Sequence, residues 1–126
     1  MNSYERVHAA VHFKKPDCVP VAPYMGNFGA VIAGIPIHKY CTSGNLMAKA
    51  QYEACLEIDQ DVVVAQSDNY YISEGFGMEV QHHDNSTPTF KKPAFEETKD
   101  IYRLKIPDPY KDGRMPVILE AVELLA

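Results

Sequence analysis

Three adjacent side chains capable of hydrogen bonding and acid–base chemistry follow an apolar run near the middle of the chain. Ser67, Asp68 and Asn69 come just after residues 62–65 (VVVA). A short valine run between charged and polar residues predicts a strand that is buried on both faces. In α/β sheets, ligands bind just past the carboxyl ends of such strands. Asp68 is therefore the leading candidate for a catalytic residue, with Ser67 and Asn69 as candidates for substrate binding. The alternative is that Asp68 caps the following helix.

A second polar group follows an earlier candidate strand, residues 18–25 (CVPVAPYM). Pro20 and Pro23 have no N–H and limit the hydrogen bonds of this strand to its neighbours. Because the two strands are expected to lie in one parallel sheet, the residues that follow the first strand should lie at the same edge of the sheet as Asp68. This part of the chain and the tyrosine pair after Asp68 supply four more candidates for substrate binding: Tyr24, Met25, Asn27 and Tyr71.

Helices at suitable spacing flank both candidate strands. Residues 2–13 predict a short amphipathic helix with Asn2 and Glu5 in the positions of a capping box. Residues 45–58 predict a longer helix that leads directly into the valine strand, as in a βαβ unit. Tyr4, Val7, His8 and Val11 fall on one face of the first helix, and Met47, Ala50, Ala54 and Ile58 form the inward stripe of the second.

The second half of the chain contains a hairpin pattern and a final helix. Residues 79–84 alternate like a short exposed strand, the turn-forming residues 85–88 follow, and residues 89–91 are predicted to pair back. Residues 115–125 predict an amphipathic helix with a broad apolar face. With two core strands, a hairpin and three good helices, the pattern indicates one α/β unit.

Several other functions are disfavoured by the composition. A net charge of −5 argues against a nucleic-acid partner, which needs a concentrated basic surface. No apolar run is long enough to span a membrane. Three cysteines without a C-x-x-C pair form no disulfide framework. Without a secretory signal pattern, these features favour the cytoplasm.

No metal site is predicted from this chain. His82 and His83 are neighbours on a strand and point to opposite faces, which indicates surface histidines. His38 and Cys41 suit one helix face, but two ligands do not make a zinc site.

The stretch SDNYYISEGFGMEV after the valine run resembles the uroporphyrinogen decarboxylase family, in which a strand ends in Ser-Asp and a Gly-Met-Glu-Val segment begins a β-hairpin. Arg6 in the first helix and Pro16-Asp17-Cys18-Val19-Pro20-Val21 match the start of that family. The resemblance covers residues 6–125. It implies that residues 1–126 are a partial uroporphyrinogen decarboxylase-like domain, the amino-terminal fragment of a (β/α)8 TIM barrel with a β-hairpin insertion.

One departure from the family separates two of its branches. True uroporphyrinogen decarboxylases have an Arg-Gln-Ala-Gly-Arg-Tyr motif after the first strand, whereas residues 24–30 here (YMGNFGA) contain no arginine. A porphyrinogen with eight carboxylates would lose its main electrostatic partners. The resemblance therefore favours the branch of corrinoid (cobalamin)-dependent methyltransferases, which move a methyl group between a corrinoid protein and a thiol or pterin acceptor.

For that branch, the resemblance implies zinc and a corrinoid in the full-length enzyme, with zinc ligands that lie outside this chain, and no cofactor bound by the fragment itself. Asp68 would contact corrin side chains or orient the acceptor. The first alternative is a decarboxylase-type lyase acting on a tetrapyrrole or another anionic substrate, with Asp68 facing the pyrrole nitrogens. The second is a truncated, inactive chain that forms a homo-oligomer through exposed sheet edges.

Overall fold

The computed structural model describes all 126 residues, and most of its regular structure is helical. The helices are α1 (Ser3–Val11), α2 (Phe28–Ile32), α3 (Ile37–Thr42), α4 (Gly44–Ile58), α5 (Tyr71–Gly75) and α6 (Met115–Leu125). The strands β1 (Glu79–Gln81) and β2 (Thr89–Lys92) form an antiparallel hairpin, and a 3₁₀ helix spans Thr98–Arg103. The predicted hairpin and the helices near both ends are therefore confirmed. None of the helices is long and apolar enough to cross a membrane.

The core lies where α2, α3 and α6 pack around α4. Tyr40, Met47 and Ala50 are completely buried there, with Ala121 of α6 against them. Gly44 at the start of α4 allows the close contact with α6, because a Cβ atom at this position would lie 2.6 Å from the Val117 carbonyl oxygen. The predicted inward stripe of α4 is correct at Met47, Ala50 and Ala54, but Ile58 is 39% exposed. The stripe ends early because no element covers the last turn of α4.

The first helix begins as predicted. Asn2 Oδ1 accepts a hydrogen bond from the Glu5 N–H at 2.8 Å, and Glu5 Oε2 accepts from the Asn2 N–H at 3.1 Å, which completes the capping box. Tyr4, Val7, His8 and Val11 share one face as predicted, but Tyr4 and Val11 are exposed and Ala9 is the buried residue of this helix. The face lies beside the valine run across a shallow groove, and nothing fills the space between them.

The two predicted core strands are extended segments without a strand ladder. The middle of residues 18–25 is joined to the start of residues 62–65 by two hydrogen bonds. The Asp61 N–H donates to the Val21 carbonyl at 2.7 Å, and the Val21 N–H donates to Asp61 Oδ2 at 2.8 Å. The valine run is half-buried, so the prediction of a strand buried on both faces is wrong for this chain. A buried parallel strand needs partners on both edges. Pro20 and Pro23 lack an N–H for a ladder, and no further segment of the chain pairs with the valine run.

Candidate active site

The site is centred on a buried ion cluster that joins the end of the second extended segment to α5 and α6. Arg114 binds Asp68 through both ends of its guanidinium, with Nη1 2.8 Å from Oδ2 and Nη2 2.9 Å from Oδ1. Arg114 Nε also donates to Glu74 Oε2 at 2.6 Å. The Asp68 and Arg114 side chains are only 1% and 8% exposed. A planar guanidinium between two carboxylates is a geometry that lysine could not reproduce.

Backbone conformation brings Arg114 into reach of its partners. Gly113 precedes it with a φ of 58°, in the left-handed region that favours glycine. A Cβ atom on Gly113 would lie 2.5 Å from the Gly75 nitrogen and 2.8 Å from the Glu74 carbonyl carbon. Glycine at this position therefore lets the chain pass close enough to α5 for the arginine to enter the cluster.

The Asp68 carboxylate accepts four hydrogen bonds. Besides the two from Arg114, Oδ2 accepts from Ser67 Oγ at 2.6 Å and Oδ1 accepts from the Tyr70 N–H at 2.9 Å. Burial on its own would raise the pKa of Asp68, but Arg114, Ser67 and the Tyr70 N–H together hold it below its usual value. Four donors fill the lone-pair sites of a carboxylate. Asp68 is therefore ionised and saturated in this conformation.

A second polar cluster ties the two loops of the site to the core. Gln51 Nε2 donates to the Gly26 carbonyl at 2.9 Å and to Tyr40 Oη at 2.6 Å, and Tyr40 Oη donates to the Gln66 carbonyl at 2.6 Å. Gly26 follows the first extended segment and Gln66 ends the second. Burial raises the pKa of Tyr40, so the phenol stays protonated as a donor. Tyr40 and Gln51 thus hold the two loops at a set distance.

Replacing Tyr40 with phenylalanine is expected to lower the free energy of unfolding by about 1–3 kcal/mol, because the Gln66 carbonyl and one Gln51 N–H lose their partner in a buried site. Urea unfolding followed by circular dichroism measures this loss. Tyr102 is 92% exposed, so Tyr102→Phe is the matched control and should change nothing measurable. Equal stability of the two variants would show that the hydrogen bonds of the Tyr40 hydroxyl do not contribute to the free energy of unfolding.

An open cavity of about 680 Å³ lies beside the ion cluster. The predicted residues Tyr24, Ser67, Asp68 and Asn69 all line it, so the ends of both extended segments meet at one place. Asn27 stands at its edge and donates to Thr87 Oγ1 at 3.0 Å. Met25 and Tyr71 do not line the cavity. The remaining lining residues are Tyr70 and, from the hairpin connection, Thr87, Pro88 and Thr89.

Several residues of the site were not predicted from the sequence. Arg114 carried one usable signal, because a cation at the amino end of a helix opposes the helix dipole and needs a carboxylate nearby. Gln51 carried another, as a polar residue between the inward positions Ala50 and Ala54. Thr87 gave none, since only the hairpin geometry brings it to the cavity.

The side chains of this chain do not fit a zinc site. No group of three or more His, Cys, Asp or Glu side chains lies close enough together to hold a metal ion. Burial raises the pKa of Cys41 to about 11, so its thiol is protonated at neutral pH. His82 and His83 are half-buried, and His83 Nε2 lies 2.9 Å from Thr89 Oγ1 in an exposed contact.

Fold and site together define an α/β unit whose polar cavity lies at the carboxyl ends of two successive extended segments, the usual place for the active site of an α/β enzyme. The family model for uroporphyrinogen decarboxylase (URO-D) matches residues 2–126. The chain belongs to the uroporphyrinogen decarboxylase family. No curated protein matches the chain significantly.

A solved structure has a similar fold. It is a methyltransferase from Methanosarcina mazei, which matches with a TM-score of 0.81 and 23% sequence identity. The match covers 99% of this chain and 38% of that one. The chain thus spans well under half the length of the similar structure, and its fold agrees with a piece of that larger one.

Proposed function

We propose that this chain forms the amino-terminal part of a corrinoid-dependent methyltransferase, which moves a methyl group between a corrinoid protein and a thiol or pterin acceptor. Membership of the uroporphyrinogen decarboxylase family supports a barrel enzyme with its site at Asp68. The fold of the Methanosarcina mazei methyltransferase supports this branch of the family over the decarboxylases.

The observation that carries the proposal is the charge of the cavity. None of its eight lining residues is lysine, arginine or histidine. Arg114, next to the cavity, already binds two carboxylates and is only 7% exposed. A porphyrinogen with many carboxylates would therefore meet no free cation at this wall. An uncharged ligand that forms hydrogen bonds fits these side chains better.

Within this function, the residues of the cavity divide into two groups. Tyr24 and Asn69 are exposed and can contact the ligand, and Thr87 lines the same cavity. Asn69 Oδ1 already accepts from Gln66 Nε2 at 3.2 Å, so its NH₂ group is the part that is free. Asp68 lines the cavity but acts through its neighbours, because its carboxylate is occupied by four donors. The residues of this chain contribute binding and orientation of the ligand.

The test is an assay of the complete reading frame that contains this chain. Methyl transfer from methylcobalamin to a thiol, followed by the change in corrinoid absorbance, is the expected activity. Decarboxylation of uroporphyrinogen, with no methyl transfer, would overturn the proposal. We expect no turnover from the 126 residues alone in either assay.

Replacing Asn69 with alanine is expected to reduce kcat/KM for methyl transfer roughly tenfold, the value of one lost hydrogen bond of about 1–1.5 kcal/mol. Asn85 lies exposed in the hairpin connection and does not line the cavity, so Asn85→Ala is the matched control. If both variants keep full activity, the cavity beside Asn69 does not hold the substrate.

A further inference from the structure

We propose that Arg114 is the positioning residue of this site, which acts through Asp68 to set the orientation of the Ser67 hydroxyl and the Tyr70 backbone on the cavity wall. The contacts themselves are independent of any activity. Their role in catalysis rests on the proposed function, because it requires that the cavity hold the substrate.

The hydrogen-bonding capacity of the Asp68 carboxylate is fully used. Its side chain is 1% exposed and each of its oxygens already accepts two hydrogen bonds. A ligand could gain a hydrogen bond from this carboxylate only by displacing an existing donor. Asp68 therefore affects a ligand through the groups that it holds, and two of these, Ser67 and Tyr70, line the cavity.

The Ser67 hydroxyl is oriented from both sides. It donates to Asp68 Oδ2 at 2.6 Å, and Arg114 Nη1 donates to its oxygen at 3.3 Å. With its single proton engaged, Ser67 can only accept from a ligand. The geometry thus assigns Ser67 as an acceptor, and the ligand should present an N–H or O–H group to it.

Glu74 holds the other edge of the guanidinium and prevents it from rotating away. Arg114 Nε and Nη2 both lie 2.6 Å from Glu74 Oε2, and Nη1 also approaches the Cys41 carbonyl at 3.4 Å. The guanidinium is therefore restrained by α5, by the end of α3 and by the Asp68 loop. Because Arg114 is restrained by these three parts of the chain, it keeps the cavity wall in one conformation.

The test separates positioning from simple stabilisation by using Arg114→Lys, which keeps the charge but loses the planar fork. In the 126-residue chain, NMR should show the carboxyl resonance of Asp68 titrating at a higher pH than in the wild type. The amide resonances of Ser67 and Tyr70 should shift, while Ala9 in α1 should not. Arg103 is exposed and pairs with Asp100, so Arg103→Lys is the matched control. In the complete enzyme, Arg114→Lys should lower kcat at least tenfold.

A folded Arg114→Lys variant with unchanged Asp68 titration and an unchanged Tyr70 resonance would overturn the proposal. Should that variant not fold, Glu74→Gln serves instead, because it removes the charge that holds one edge of the guanidinium and leaves the contact with Asp68. A positioning role predicts shifted amide resonances of Ser67 and Tyr70 in this variant, and a merely structural role predicts a loss of stability with these resonances unchanged. Because the NMR measurements need no turnover, absence of methyl transfer in the wild-type enzyme would count against the proposed function and leave the positioning result standing.

Discussion

Replacing Arg114 with methionine is expected to lower the free energy of unfolding by about 3–5 kcal/mol at pH 7, the cost of leaving a buried charge without its partner. Methionine fills much of the same space but leaves Asp68 and Glu74 facing each other without a cation. Since a domain of this size is stabilised by only about 5–15 kcal/mol, much of the stability should be lost. Urea unfolding of the two proteins under the same conditions measures the difference.

The loss should also depend on pH in a direction that identifies its cause. In the wild type the pKa of Asp68 is lower in the folded chain than its ordinary value of 3.8. The ion pair therefore contributes its full stability above about pH 4, and this contribution disappears as the pH falls through the folded pKa. In Arg114→Met the buried, unpaired Asp68 has a raised pKa, so the variant recovers stability as the pH falls through that pKa. The difference between the proteins should therefore begin to shrink above pH 4 and continue to shrink below it.

Arg103→Met is the control for this experiment, because Arg103 is an exposed arginine whose ion pair with Asp100 is on the surface. Its effect should be small, since surface ion pairs contribute about 0–1 kcal/mol. A similar loss for the two variants, or a loss that stays constant down to pH 3, would show that the buried cluster does not stabilise the fold.

Replacing Met47 with alanine is expected to cost about 2–5 kcal/mol, because Met47 is completely buried in the core around α4 and its removal leaves a cavity. Ile58 is the matched control, since it lies on the same predicted stripe of the same helix but is 39% exposed. Ile58→Ala should cost roughly 1 kcal/mol or less. Thermal unfolding and urea unfolding measure the two effects.

The comparison within one helix tests where the core ends. If Met47→Ala and Ile58→Ala cost the same, the last turn of α4 is covered in solution by something that packs on Ile58. If Met47→Ala costs less than about 1 kcal/mol, the core around α4 is not tightly packed.

Local patterns were sufficient to predict much of this fold. The capping box at Asn2 and the helix that begins at Met115 depend on interactions between near neighbours in sequence. The hairpin likewise follows from its own turn residues. Met47 and Ala50 were predicted to face inward because helical periodicity determines which residues share a face.

The candidate site was likewise predicted only in part from the sequence. Ser67, Asp68, Asn69 and Tyr24 were predicted to meet because the carboxyl ends of successive segments lie at one edge, and they do line one cavity. Their partners were not predicted. Arg114 lies 46 residues from Asp68 along the chain, and no local pattern pairs them. The prediction that the valine run is buried on both faces was also wrong, because burial depends on neighbouring segments that residues 62–65 do not themselves specify.

By itself, the sequence determined that the chain has an α/β pattern, that an acidic group follows its central apolar run, and that no arginine follows the first segment. Only the tertiary structure decided the state of that acidic group. Ionisation, burial and hydrogen bonding of Asp68 depend on Arg114, Ser67 and Glu74 meeting in three dimensions, because electrostatic interactions in a protein depend on distance and solvent exclusion rather than on separation along the chain.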